Sequence, residues 1–217
     1  MRNHCLAILF IALVAISQAL AAAKVEPIQK PKDSPVPEAV WQVLDPNGYS
    51  VTLDDGSVVC DIWLRKEIPT TGKKEAEGTL FPEIAPSTML GIISFPKQGS
   101  DFRGQAIPAG FFVLRYELLP NDANHLGVSP NRDFALLVPV ASDPDPKAEF
   151  KYQDLVALSR KASNTQHPAP ISIVQAGEQM PGLAKDDQDH WIFSAKLHFA
   201  SGEEIPFGLI VKGVAQQ

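Results

Sequence analysis

Hydrophobic and polar residues alternate with a period of two along most of this chain. In SVVCDIWLR, residues 57–65, Val58, Cys60, Ile62 and Leu64 fall on one face and Asp61, Trp63 and Arg65 on the other. In WIFSAKLHF, residues 191–199, Trp191, Phe193, Ala195, Leu197 and Phe199 alternate with Ile192, Ser194, Lys196 and His198. Phe207, Leu209 and Val211 repeat the pattern, with Lys212 outward. Successive side chains of a strand point to opposite faces, so each run reads as a half-buried strand. Strands are predicted near 40–44, 49–53, 57–65, 89–95, 111–118, 134–138, 171–174, 191–199 and 205–212. Asp54-Asp55-Gly56-Ser57 and Ser201-Gly202-Glu203-Glu204 carry turn chemistry and predict two hairpins.

One segment follows a helical period instead. Phe150, Leu155, Val156 and Leu158 in EFKYQDLVALSRKAS predict a short amphipathic helix near 150–162. Arg160 and Lys161 sit in its last turn, where cations favour the helix dipole, and Pro168 stops any continuation. Many short strands with one helix in a connection predict a mainly β fold, an antiparallel β-sandwich of jelly-roll type. Residues 66–87, KEIPTTGKKEAEGTLFPEIAPS, show neither period and read as a long surface loop.

The N-terminal end of the chain changes the picture. MRNHCLAILFIALVAISQALAAAK has a charged start, an apolar run from Leu6 to Ile16, and alanine-rich cleavage sites. That is the pattern of a secretory signal peptide over residues 1–23, and the run is short for a membrane span. Cys5 precedes the apolar run, which argues against a lipidated cysteine at the cleavage point. The mature protein is therefore expected in the periplasm or outside the cell. Pro27, Pro31, Pro35 and Pro37 make 24–39 read as an extended linker, leaving 40–215 as a single domain.

Formal charge is −6, and loss of Arg2 with the signal peptide makes the chain slightly more acidic. No run of Lys and Arg stands out, so neither nucleic acid nor an anionic membrane surface is an expected partner. Only Cys60 would survive processing, which excludes an intramolecular disulfide. Its parity with Val58, Ile62 and Leu64 predicts a buried, unreactive thiol.

Candidate chemistry concentrates in residues 108–139. PAGFFVLRY, 108–116, reads as a turn feeding a strand, and HLGVSPNRDF, 125–134, leads into the apolar strand that follows. Together these stretches resemble a group of uncharacterised secreted bacterial proteins that share a PAG-aromatic-x-LRY strand and an HxGxSPxRDF turn. The resemblance is clearest over roughly 105–140. It implies fold and export, and it carries over no catalytic residue.

His125, Arg132 and Asp133 are the candidate catalytic groups there. Ser129 precedes Pro130 and has no Gly-x-Ser-x-Gly elbow around it, so a serine nucleophile is not supported. The alternative is an ordered turn across 121–133, with Arg132 anchoring it through Asp133 or Glu117. For a metal, His125 and His190 are the candidates, since no HExxH or other tight spacing occurs. His190 and His198 share strand parity but would lie ~26 Å apart at strand rise, too far for one ion. KDDQDH, 185–190, lacks the glycine and distal glutamate of an EF-hand and reads as a solvated turn. Trp63, with Tyr116 and Trp41, could form an aromatic platform for a sugar or peptide, although such a tryptophan more often packs under a loop.

No cofactor motif is present, and none is expected. These readings converge on an exported, non-catalytic binding or envelope-associated module. Its partner would be a small ligand, a carbohydrate or an envelope protein. The competing reading is a hydrolase or metal-assisted enzyme using His125 with Asp133 and His190.

Overall fold

A computed structural model describes residues 22–70, 78–119 and 131–215. Ten strands form one antiparallel sheet that curls until its ends nearly meet. They are β1 (Lys24–Gln29), β2 (Asn47–Thr52), β3 (Val58–Leu64), β4 (Met89–Phe95), β7 (Gly110–Leu118), β8 (Asp133–Pro139), β9 (Pro170–Val174), β10 (Gly182–Lys185), β11 (Trp191–His198) and β12 (Glu204–Lys212). A separate small ribbon pairs β5 (Gly99–Ser100) with β6 (Ala106–Ile107). The strand order is β1-β2-β3-β4-β7-β8-β9-β12-β11-β10, and β1 approaches β10 at the seam. The mainly antiparallel β class is as the alternation predicts. Its finer form is one sheet curled on itself in place of two hydrogen-bonded sheets.

The curl buries most of one face; Val58, which the alternation assigns to it, is exposed at the start of β3. Cys60, Ile62 and Leu64 of β3 join Leu114 and Tyr116 of β7, Leu137 of β8, Phe193 and Leu197 of β11, and Phe207 and Leu209 of β12 in a single interior cluster. Rings from opposite walls meet there: Tyr49 lies 5.3 Å from Phe193, and Phe81 lies 6.0 Å from Phe207. A period of two is what lets every second residue reach this interior. Cys60 is fully enclosed, as its parity predicts, and burial pushes its thiol pKa well up.

The other face is covered over part of its width. Helix α2 (Tyr152–Ser163) lays Leu155, Val156 and Ser159 toward β8, and ends at Asn164 in the left-handed region, φ 52°. A single helical turn, α1 (Glu38–Trp41), covers Trp63. Val36, Val40, Trp41, Leu44, Leu136 and Leu155 belong to this second cluster. Among the described residues, no helix is long and apolar enough to cross a membrane.

Three expectations are corrected. The strand predicted near 40–44 is instead α1 and its exit turn, with Pro37 as the extended N-cap whose carbonyl accepts the Val40 and Trp41 N–H groups. The stretch 24–39, expected as a linker, supplies β1 and the buried Val36. Pro27 is tolerated because β1 is the last strand of the order, with its second edge unpaired. The loop over 66–87 is not wholly a surface excursion, because Ile68, Phe81 and Ile84 are buried in the interior cluster. β10 and the β5–β6 ribbon went unpredicted because each is too short to show a period.

Candidate functional site

The sequence-predicted residues that the structure describes are distributed across both faces of the sheet and do not form one site. Asp133 is fully buried. It accepts a 2.6 Å hydrogen bond from the Tyr116 hydroxyl and bonds from the backbone N–H groups of Leu80 (2.8 Å) and Phe81 (3.2 Å). Burial, then the bond to Asp133, drives the Tyr116 pKa far above the ordinary phenol range. This carboxylate ties the 78–84 segment to the interior.

Arg132 donates from Nε and Nη2 to the Leu119 carbonyl, 3.2 Å each, while the Leu119 N–H donates to the Arg132 carbonyl at 2.8 Å. It therefore clasps the two ends of the β7–β8 connection. His125, with residues 121–130 of the expected 121–133 turn, lies outside the described residues.

His190 is buried between two acceptors. Its Nδ1 is 3.0 Å from Asp186 Oδ2 and its Nε2 is 3.0 Å from the Val214 carbonyl oxygen. Phe102 stands edge-on at 5.4 Å, and Gly213, at φ +138°, leaves the ring its space. Asp186 also accepts the His190 and Gln188 backbone N–H groups. Despite some desolvation, these bonds hold its carboxyl below the usual range. KDDQDH is thus a closed turn that fastens the C-terminal segment. Among the described residues, no group of three His, Cys, Asp or Glu is placed to hold a metal ion.

The aromatic platform is not formed. Trp63, Trp41 and Tyr116 are all buried, and Tyr116 faces the interior while the two tryptophans pack outside the sheet. The tryptophans meet edge to face at 5.4 Å, with Lys30 5.2 Å from the Trp41 ring. Gly48 must lack a side chain, because a Cβ there would lie 2.5 Å from the Trp63 indole nitrogen. Polar neighbours put Trp63 on the outer face, where packing under a loop was the commoner expectation. The helical turn that covers it could not be read from them.

Sequence reasoning also missed the main buried charge. Arg115, on the outer face of β7, is fully enclosed and grips Asp143 through Nε and Nη2, 2.7 Å each. Its remaining donors reach the carbonyls of Ser87 (2.9 Å), Ala148 (2.8 Å) and Asp145 (2.9 Å). Phe150 lies 5.1 Å from the guanidinium. Arg115 thereby pins the Asp143-Pro144-Asp145-Pro146 loop, and with it the start of α2, to the sheet. An arginine inside an apolar strand was the available signal.

A groove remains open beside α2, between the helix and residues at the ends of β7, β8 and β9. Leu119, Phe134, Leu136, Val156 and Pro170 form its floor and walls, around about 240 Å³. Tyr152, Gln153, Val156 and Arg160 line it from the helix, a spacing that keeps them on one side. Arg103 and His167 complete the rim, and among the described residues no acidic one lines the groove.

The position of Arg103 is built in. Asp101 is buried and accepts the Arg103 and Gln105 backbone N–H groups at 2.9 and 2.8 Å, so the 101–105 turn is preformed. The Gln105 amide donates to the Pro168 carbonyl at 2.8 Å, and the Phe102 N–H to the Pro170 carbonyl at 2.8 Å. These bonds hold the turn against the end of the groove where α2 finishes. Arg103, Arg160 and His167 are exposed there, and among the described residues their side chains form no hydrogen bond or ion pair.

Fold and groove together define a mainly β protein with an apolar, cation-rimmed cleft on one outer face. Comparison with protein families, curated proteins and solved structures finds no match to this chain.

Proposed function

We propose that this chain is an exported, non-catalytic binding protein that takes a small ligand in the groove between α2 and the sheet. Export rests on the charged start, apolar run and alanine sites of residues 1–23. The resemblance of residues 105–140 to secreted bacterial proteins supports the same destination.

One observation carries the binding reading: the groove joins an apolar floor to the Arg103, Arg160 and His167 side chains, which among the described residues make no hydrogen bond or ion pair. Small-molecule sites combine an apolar lining with a few convergent polar groups in this way. By contrast, Asp133 and His190, two groups on which the enzymatic alternative depends, are enclosed by structural bonds. They also lie apart, Asp133 with Tyr116 in the interior and His190 against Val214.

Amide-resolved NMR titration with a mixed fragment set tests the reading. Shifts should gather on Tyr152, Gln153, Val156, Arg160 and the β8 residues beneath them. Shifts gathered elsewhere, or turnover of an ester or glycoside substrate by the same protein, would overturn it. Intact-mass measurement of the exported protein should show that residues 1–23 are absent.

A further inference from the structure

We infer that the ligand of this groove is an amphipathic anion, a short apolar body carrying one carboxylate or phosphate head. This inference rests on the groove being the binding site, and it adds the charge, shape and orientation of what binds.

The charge follows from the rim. Arg103 comes from the β5–β6 turn, Arg160 from the last turn of α2 and His167 from the α2–β9 connection. Three separate parts of an acidic chain thus bring cationic or N–H donor groups to one end of one cleft. An arginine held for structural reasons is normally spent on carboxylates or carbonyls, as Arg115 is here. Among the described residues neither Arg103 nor Arg160 makes a side-chain hydrogen bond or ion pair, although the Arg103 charge also acts on the nearby buried Asp101 carboxylate. A guanidinium presents a planar fork that suits carboxylate and phosphate oxygens, and imidazole adds an N–H in either tautomer.

The apolar body follows from the floor. Phe134 and Leu136 are buried β8 residues, and Val156 closes the opposite wall from the helix. Along α2 the lining runs from Tyr152 to Arg160, ~12 Å at helical rise. The volume of about 240 Å³ falls just below the ~300–1,000 Å³ of pockets that hold drug-sized ligands. The cleft therefore suits an unbranched or aromatic body of modest size, lying along α2 with its head at the Arg160 end. Tyr152 and Gln153 flank the tail end with uncharged polar groups.

Isothermal titration calorimetry of the full mature chain tests the assignment with four probes sharing a ten-carbon tail: decanoate, decyl phosphate, decanol and decyltrimethylammonium. One-to-one binding of decanoate or decyl phosphate is expected, with decanol and the cationic probe at least about tenfold weaker. The Arg103→Gln/Arg160→Gln variant should lose that preference while still binding decanol as the wild type does. Gln153→Trp, at an exposed lining position, should fill the groove and abolish binding of every probe.

Decanol or the cation binding as tightly as decanoate would overturn the anionic assignment and leave the groove reading standing. Binding that survives Gln153→Trp, or that saturates with many probes per chain, would overturn the groove reading and this inference with it. Failure of all four probes to bind would do the same. Unchanged thermal melting of both variants shows that the comparison is between folded proteins.

Discussion

Arg115 and the arginines of the groove rim sit on the same outer side of the sheet and have opposite fates. Arg115 is enclosed, with its donors divided between the Asp143 carboxylate and three backbone carbonyls. Arg103 and Arg160 are exposed and make no side-chain bond among the described residues. A buried guanidinium must be matched on every side, because unpaired charge in a dry setting costs several kcal/mol. An exposed one is matched by water, so its donors remain available to a ligand. The difference separates an arginine that builds the fold from arginines that leave a surface ready.

Breaking the first of these should have the largest effect. Arg115→Leu leaves the Asp143 carboxylate buried without its partner and frees three carbonyls, so stability should fall by about 3–5 kcal/mol. Urea denaturation reads this directly. A loss under about 1 kcal/mol would mean that water reaches the site and the contrast with the rim is weaker than drawn.

Asp133→Asn is the next step down. The amide keeps one acceptor for the Tyr116 hydroxyl and Phe81 N–H, and turns a donor toward the Leu80 N–H or loses a charge-assisted bond. A loss of about 1–3 kcal/mol is expected in the same measurement. A variant as stable as the wild type would show that the 78–84 segment is held by Phe81 and Ile84 packing alone.

Glu117 sharpens the comparison from the acidic side. It lies two residues from Arg115, is buried, and among the described residues has no ion-pair partner; its one bond to the backbone is from Leu118 N–H. Burial raises its carboxyl pKa, only partly offset by that bond. The folded state therefore holds this proton more tightly than the unfolded one. Its favourable contribution is complete below the unfolded value near ~4.3 and is lost as pH rises through the folded value. Glu117→Gln keeps an acceptor for Leu118 and should be more stable than the wild type at pH 7. The difference should close below about pH 4. Equal stability at both pH values would show that the ionised carboxylate is well solvated.

The smallest stability effect belongs to the rim. Arg103→Gln/Arg160→Gln should stay within about 0.5 kcal/mol of the wild type, since both side chains are exposed and unbonded. A larger loss would place these arginines with Arg115 as parts of the fold.

How far the sequence could reach is visible in β3. Alternation placed Cys60, Ile62 and Leu64 together inside because neighbouring strand residues must face opposite ways. The same rule put Trp63 on the outer face correctly but could not tell that face from solvent. Whether it is covered depends on α1, some 20 residues earlier in the chain. Helix α2 was legible for the reason β3 was, since its buried residues follow the helical period.

What the sequence determined by itself was therefore local: which residues share a face, where turns fall, that Cys60 points inward, and that the fold is mainly antiparallel β. These follow from backbone geometry that each short segment carries with it. Only the tertiary structure decided that the strands make one curled sheet, because strand order depends on pairings between distant segments. It alone joined Arg115 to Asp143 across 28 residues and turned Asp133 toward Tyr116 in place of a cleft. It alone brought Arg103, Arg160 and His167 to one groove, since three short, polar stretches acquire a common chemistry only when folding sets them over the same apolar floor.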